Sequence, residues 1–199
     1  MISVYKFKSK FQQLLTPILI FFHKNKITAN QITIASILLS IVIGFLFWNA
    51  TCSRWLFLSL PIGLLIRMAM NALDGMMART YNQTSKLGEV LNEIGDVVSD
   101  VIIFFPLLIF QPESLYLIVV FIVLSVINEF CGLLGKIVGN ERRNDGPMGK
   151  SDRALILGLY GVLMFFGVSI SAISNYVFGV LIILLLISSF VRLKKVLNE

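Results

Sequence analysis

The stretch WLFLSLPIGLLIRMAMNALDGMMARTYNQTSKLGEVLNEIGDVVSDVIIFFPLLIF, residues 55–110, holds two long segments that are mirror images in composition. The first, about Trp55 to Arg79, is apolar through Ile66 and then carries Arg67, Asn71, Asp74 and Arg79. The second, about Ser85 to Phe110, opens with Glu89, Asn92, Glu93, Asp96 and Asp100 and turns apolar at Val101. Ionisable groups within a membrane span are costly in hydrocarbon and face a bundle interior or a wet cavity. Because one segment ends and the other begins on the same side of the membrane, their polar halves lie at one depth. The pattern predicts a polar cavity open to that side and floored by apolar side chains.

The rest of the chain makes the bilayer its main solvent. Of 199 residues, 57% are hydrophobic and 14% charged, too little polar surface to coat a water-soluble globule. With about 20 helical residues needed per crossing, the length accommodates about six spans and excludes a large soluble domain. The reading is an all-α, single-domain bundle over 1–199, with spans at about 27–50, 55–79, 85–110, 114–138, 152–170 and 175–190. Residues 1–26 interleave Lys6, Lys8 and Lys10 with Val4, Phe7, Phe11, Leu14 and Ile18, the 3/4 spacing of a helix lying on the membrane surface. Thr28 or Asn30 is the expected cap of the first span.

Net charge is +6. By this span assignment, fifteen of the 17 Lys and Arg residues fall on one face, with Arg54 alone on the other and Arg67 inside a span. The positive-inside rule then makes both termini and the 2–3 and 4–5 loops cytoplasmic, and it explains the basic balance without nucleic acid. Cys52 and Cys131 form neither a disulfide framework nor a zinc cluster and read as packing residues.

Helical spacing aligns the polar groups. Arg67, Asn71, Asp74 and Ala78 are separated by four, three and four residues, as are Glu89, Glu93, Asp96 and Asp100. Two facing stripes of oxygen donors result. Clustered carboxylates repel unless protonated or bridged, and hard oxygens favour Mg²⁺, Mn²⁺ or Ca²⁺. Gly75 and Gly88 offer bare backbone to a substrate.

Asn71-Ala-Leu-Asp74-Gly75-Met-Met-Ala78-Arg79, eight residues, then Gly88-x3-Asn92-x3-Asp96 resembles the signature of the CDP-alcohol phosphatidyltransferase family, D-x2-D-G-x2-A-R-x8-G-x3-D-x3-D. Every spacing agrees, and Asp74, Gly75, Ala78, Arg79, Gly88 and Asp96 agree in identity. Ala29-Asn30-Gln31-Ile32-Thr33 is similar to the family's segment ahead of the first span. The resemblance implies transfer of a substituted phosphoryl group from a CDP-linked lipid donor, usually CDP-diacylglycerol, to a small alcohol, releasing CMP. It further implies one or two Mg²⁺ or Mn²⁺ ions held by Asn71, Asp74, Asn92 and Asp96, and a donor pocket formed by Asp74, Gly75, Ala78, Arg79 and Gly88. Asp96 takes the position assigned to removing the acceptor's proton. A bacterial inner membrane, a cytoplasmic site and a homodimer joined through apolar spans are the setting it suggests.

Two departures stand out. Asparagine replaces the first and third aspartates of the signature at Asn71 and Asn92, turning two anionic ligands into neutral carbonyl donors. They favour a rival reading, a catalytically impaired nucleotide-lipid binder or scaffold. An ion-coupled transporter is a weaker third reading, because the acids stop halfway across. Charge at Glu89, Glu93 or Asp100 offers compensation from neighbouring positions.

Outside the motif, Arg67 is expected to pair with Asp100 or Glu129, and Lys86 to serve topology. Asn128 and Glu129 either line the cavity or pack, with Glu129 protonated. The loop of residues 139–151 offers Arg142, Arg143, Lys150 and Arg153 to a phosphate on the acceptor or a lipid, with Ser151 capping the next helix. His23, the sole histidine, sits among interfacial lysines and reads as a headgroup contact.

Overall fold

The computed structural model describes residues 2–139 and 141–198, and for residues 2–10 the helical backbone alone. The side-chain pattern expected for Val4 to Lys10 therefore lies outside the described residues. Seven helices of 16 to 24 residues make up the described chain: α1 (Ile2–Lys24), α2 (Ala29–Trp48), α3 (Ser59–Thr80), α4 (Lys86–Phe104), α6 (Leu115–Val138), α7 (Lys150–Phe165) and α8 (Ser174–Leu197); a single turn, α5 (Leu107–Phe110), lies between α4 and α6.

Four segments, Ala29–Thr51, Arg54–Thr80, Pro112–Val138 and Ser171–Leu197, are long and apolar enough to cross a bilayer. The helices α4 and α7 fall short of that description for different reasons. The first carries Lys86, Glu89, Glu93, Asp96 and Asp100, and the second has 16 residues.

The exterior is rich in large apolar side chains, and the interior mixes apolar with charged ones. Exposed positions include Phe45, Leu65, Leu155, Phe166 and Phe190, while Arg67, Asp74, Asp96, Asp100, Glu129, Arg153 and Arg192 are buried. An apolar exterior suits hydrocarbon, and of the buried charges all but Asp74, which accepts from the Thr33 hydroxyl, have an ionic partner. Trp48, Trp55, Tyr116 and Tyr176 are exposed at the ends of α2, α3, α6 and α8 remote from the ionic groups, where amphipathic rings suit a membrane interface.

Capping explains the boundaries. Thr28 opens α2 with a capping box: its hydroxyl accepts from Gln31 N at 3.3 Å, and Gln31 Oε1 accepts from Thr28 N at 2.9 Å. Ser85 opens α4 by accepting from Gly88 N at 3.0 Å. The helix expected to run 85–110 instead ends at Phe104, with Pro106 separating it from α5, because proline removes the donor that would continue the ladder. The last helix runs beyond the expected 190, so the basic residues Arg192, Lys194 and Lys195 belong to its final turns. Ser151 does not cap α7. Gly149 does, its N–H donating to Asp152 Oδ2 at 2.8 Å, which leaves Ser151 within the first turn.

The helix α2 is the central post and packs against both α3 and α4; α3 packs on α7, and α6 on α8. Small buried residues on α2, namely Ala29, Thr33, Ser36, Ser40 and Gly44, recur every three or four positions and admit this approach. A Cβ on Gly44 would lie 2.9 Å from Ile102 O, so the backbones meet there. The main apolar core surrounds Phe47, Leu60, Ile103, Ile118 and Leu185; a smaller one joins Leu15 and Leu19 of α1 to Ile32, Leu73 and Met77. Cys131 is buried as expected, whereas Cys52 is exposed in the turn after α2 and so is not a packing residue.

Candidate active site

The C-terminal half of α3 and the N-terminal half of α4 converge on the same side, against the start of α2. Between them lies a cavity of about 430 Å³, whose lining includes Asn71, Asp74, Gly75, Ala78, Arg79, Gly88 and Asn92. Asn30 and Thr33 of α2 complete its wall, and Arg142 and Lys150 approach from the far loop. Asp96 lies immediately deeper, in a small recess shared with Thr33, Ser36, Arg67, Asn71 and Asn92.

Asp74, Asp96 and Asp100 are each contacted from α2 or α3. Thr33 Oγ1 donates to Asp74 Oδ2 at 2.9 Å. Ser36 Oγ donates to Asn71 Oδ1 at 2.7 Å, and Asn71 Nδ2 donates to Asp96 Oδ1 at 3.2 Å. The carboxylate of Asp96 can only accept, so this contact fixes which way the Asn71 amide faces. Arg67 lies 3.0 Å from Asp100 Oδ1 and 3.6 Å from Asp96 Oδ1, pairing with Asp100 as expected rather than with Glu129. The ammonium of Lys150 contacts Asp96 Oδ2.

Below the cavity a buried ionic network ties four helices and a loop. Arg153 reaches Asp100 at 2.7 Å and Glu129 at 2.8 Å; Arg142 bridges Glu129 at 2.8 Å and Glu93 at 3.0 Å; Arg192 lies 3.7 Å from Glu129. Glu129 is thus the hub of an arginine cluster, neither a cavity wall nor an isolated acid. Asn128 braces the loop, its Nδ2 donating to Met148 O at 3.0 Å.

Of the loop cations expected to meet a phosphate, Arg142 and Lys150 reach the cavity. Arg153 is 2% exposed and committed to carboxylates, and Arg143 donates its backbone N–H to Gly132 O at 3.0 Å on α6, outside the cavity lining. His23 is exposed and stacks on Tyr81, with ring centroids 3.6 Å apart, so its partner is a protein ring at the end of α3. The two glycines differ in use. A Cβ on Gly88 would come 2.6 Å from Asn30 Oδ1, whereas one on Gly75 would sit 3.2 Å from a nitrogen of Arg79, so Gly75 leaves the guanidinium room over the helix.

Sequence reasoning missed Thr33, Ser36, Gln83 and Ser188. Gln83 Oε1 accepts from Ala29 N at 2.9 Å, and Ser188 Oγ accepts from Met148 N at 2.8 Å. The signal for the first two was present in the small-residue stripe of α2. The other two lack any local signature.

Fold and cavity together describe an α-helical membrane protein with a polar chamber built from the spaced aspartate motif. Residues 26–191 match the CDP-alcohol phosphatidyltransferase family, and the chain belongs to it. It is 42% identical over 195 residues to the inner membrane protein YnbA of Escherichia coli (strain K12), covering 98% of this chain and 96% of that one. Its fold is that of Mycobacterium tuberculosis phosphatidylinositol phosphate synthase PgsA1. The structure of that synthase with CDP-DAG bound superposes with a TM-score of 0.75 at 21% identity, over 92% of this chain and 94% of the other. Its complex with manganese and citrate gives 0.74 at 22% identity, over 91% and 88%.

Proposed function

We propose that the protein transfers a phosphatidyl group from a CDP-linked lipid, CDP-diacylglycerol in the first instance, to an alcohol, releasing CMP. The supporting observation is the 430 Å³ polar cavity where two half-polar helices meet, with Asp74, Asn92 and Arg79 on its wall and Asp96 at its base. In this reading the acceptor's hydroxyl oxygen bonds to the phosphatidyl phosphorus as the bond to the CMP oxygen breaks, and that oxygen keeps the electron pair. The hydroxyl proton passes to Asp96. Arg79 and Gly75 receive the diphosphate, Ala78 and Gly88 shape the nucleotide's space, and Arg142 faces the charge that develops.

The residues fit a divalent cation. Asp74 lines the cavity with one oxygen committed to Thr33, and Asn92 lines it with no hydrogen bond among the described residues. With Asp96 they form an oxygen donor set suited to Mg²⁺ or Mn²⁺. A bound ion would supply charge neutralisation along the diphosphate.

The setting proposed is one domain over 1–199 with six crossings, α4 and α7 included. The helix α1 lies on the cytoplasmic surface of a bacterial inner membrane, and both termini are inside. The donor's acyl tails leave sideways into lipid, which accounts for the apolar halves of α3 and α4.

Purified protein given radiolabelled CDP-diacylglycerol, Mg²⁺ or Mn²⁺ and a panel of alcohols is expected to release CMP. Folded protein releasing none with any CDP-linked donor refutes the proposal. Asn71 and Asn92 support a second reading, a nucleotide-lipid binder without turnover. Activity found only in Asn71→Asp combined with Asn92→Asp would establish that reading instead.

A further inference from the structure

We infer that Lys150 is a built-in replacement for one cation, so that this chain binds a single divalent ion at its carboxylates rather than two. The inference rests on the transferase reading for the identity of the diphosphate, but not for the ion count.

The donor set is half spent internally. Asn71 turns its carbonyl oxygen to Ser36 on α2 and its amide nitrogen to Asp96, so it braces the acid and keeps a single lone pair on that oxygen for the cavity it lines. Asp96 receives Asn71 and Arg67 on one oxygen and the Lys150 ammonium on the other. What remains least encumbered for a metal is one oxygen of Asp74 and the amide oxygen of Asn92, with single leftover lone pairs on Asp96 and Asn71. No group of three or more His, Cys, Asp or Glu side chains suited to a metal occurs among the described residues. Two divalent ions would bring four positive charges to two carboxylates. One ion plus an ammonium brings three.

Lys150 is held in place by its base. It is the first residue of α7, and the turn before it is anchored in the protein. Met148 is 1% exposed, with its N–H on Ser188 and its carbonyl accepting from Asn128 and Arg153. Gly146, at φ +106°, sits where a Cβ would be 2.6 Å from the Ser188 backbone, so the turn presses on α8. Gly149 is tied to Asp152. A lysine rooted this firmly, with its side chain 26% exposed, delivers its charge to one place: Asp96 at the cavity's edge.

The test is Mn²⁺ titration of the purified, nucleotide-free protein, followed by electron paramagnetic resonance of free Mn²⁺ and by calorimetry, with CMP release assayed in parallel. Wild type is expected to bind one ion. Lys150→Met is expected to bind that ion at least about tenfold more tightly, because a neighbouring positive charge is gone. Lys150→Met with Asn71→Asp is expected to bind two. Unchanged elution and thermal unfolding in detergent establish that the variants are folded, and Lys150→Arg, which keeps the charge, is expected to match wild type. Two ions in wild type, or unaltered Mn²⁺ affinity in Lys150→Met, overturns the inference. If CMP release is seen alongside, the transferase reading survives that failure. One ion with no CMP release from any donor overturns the transferase reading and leaves the ion count standing.

Discussion

At the residue scale, charge in this protein is governed by what each side chain already holds. Glu129 accepts from Arg142 and Arg153 and lies near Arg192; Glu129, Arg153 and Arg192 are buried, and Arg142 reaches them from the cavity. Removing one member of such a group strands the others, which typically costs about 3–5 kcal/mol. Glu129→Leu is therefore expected to lower the thermal unfolding midpoint in detergent sharply. Lys136→Ala, which breaks an exposed pair with Glu89, is expected to leave the midpoint unchanged. Equal effects of the two substitutions would remove the argument that burial gives the network its importance. Thr33→Val is milder: it deletes the donor to Asp74 and is expected to cost about 1 kcal/mol. If the acid orients a diphosphate, that variant also loses CMP release.

At the element scale, α2 decides how near the two motif helices can stand. Its Gly44 admits the backbone of α4, and Gly95 of α4 in turn admits Ile37, which a Cβ would meet at 2.6 Å. Gly44→Val forces the helices apart and is expected to destabilise by about 1–3 kcal/mol, read from unfolding in detergent. Gly179 on α8 has nothing within 4 Å of an added Cβ, so Gly179→Ala is the matched substitution expected to have no such effect. The mirror-image polarity of residues 55–110 was legible in the sequence because helical period and hydropathy are local properties. The interruption at Pro106 was visible as a proline, yet its effect on the helix end depended on α5 finding a separate place. The polar stripe of α2 was also written in the chain, but a serine on an apolar helix does not reveal whether it bonds its own backbone, as Ser40 does to Ser36 O, or a partner helix, as Ser36 does to Asn71.

At the scale of the whole molecule, the buried ionic groups gather at one end, and the exposed tryptophans, Arg54 and Glu113 lie at the other. This asymmetry sets orientation. A membrane-impermeant maleimide added outside intact spheroplasts is expected to modify Cys52, which is exposed beside Arg54, and to spare buried Cys131. Labelling of Cys52 only in inverted vesicles would reverse the topology. The same asymmetry places the polar cavity at the basic end and leaves the opposite end largely apolar, an arrangement that suits access from one side rather than passage across the membrane.

The linear order of residues was sufficient for a helical membrane protein, for the gathering of polar groups in the facing halves of two helices and for the motif that places it in its family. Those properties follow from hydrophobicity, charge bias and helical spacing, each readable within a window of a few turns. The folded arrangement alone decided that Arg153 is spent on Asp100 and Glu129, that Asn71 is a strut facing Asp96, and that the Lys150 ammonium meets the other oxygen of Asp96. Such assignments depend on ångström distances between helices remote in sequence. In a low-dielectric interior, a carboxylate's partner is the cation that packing brings within reach.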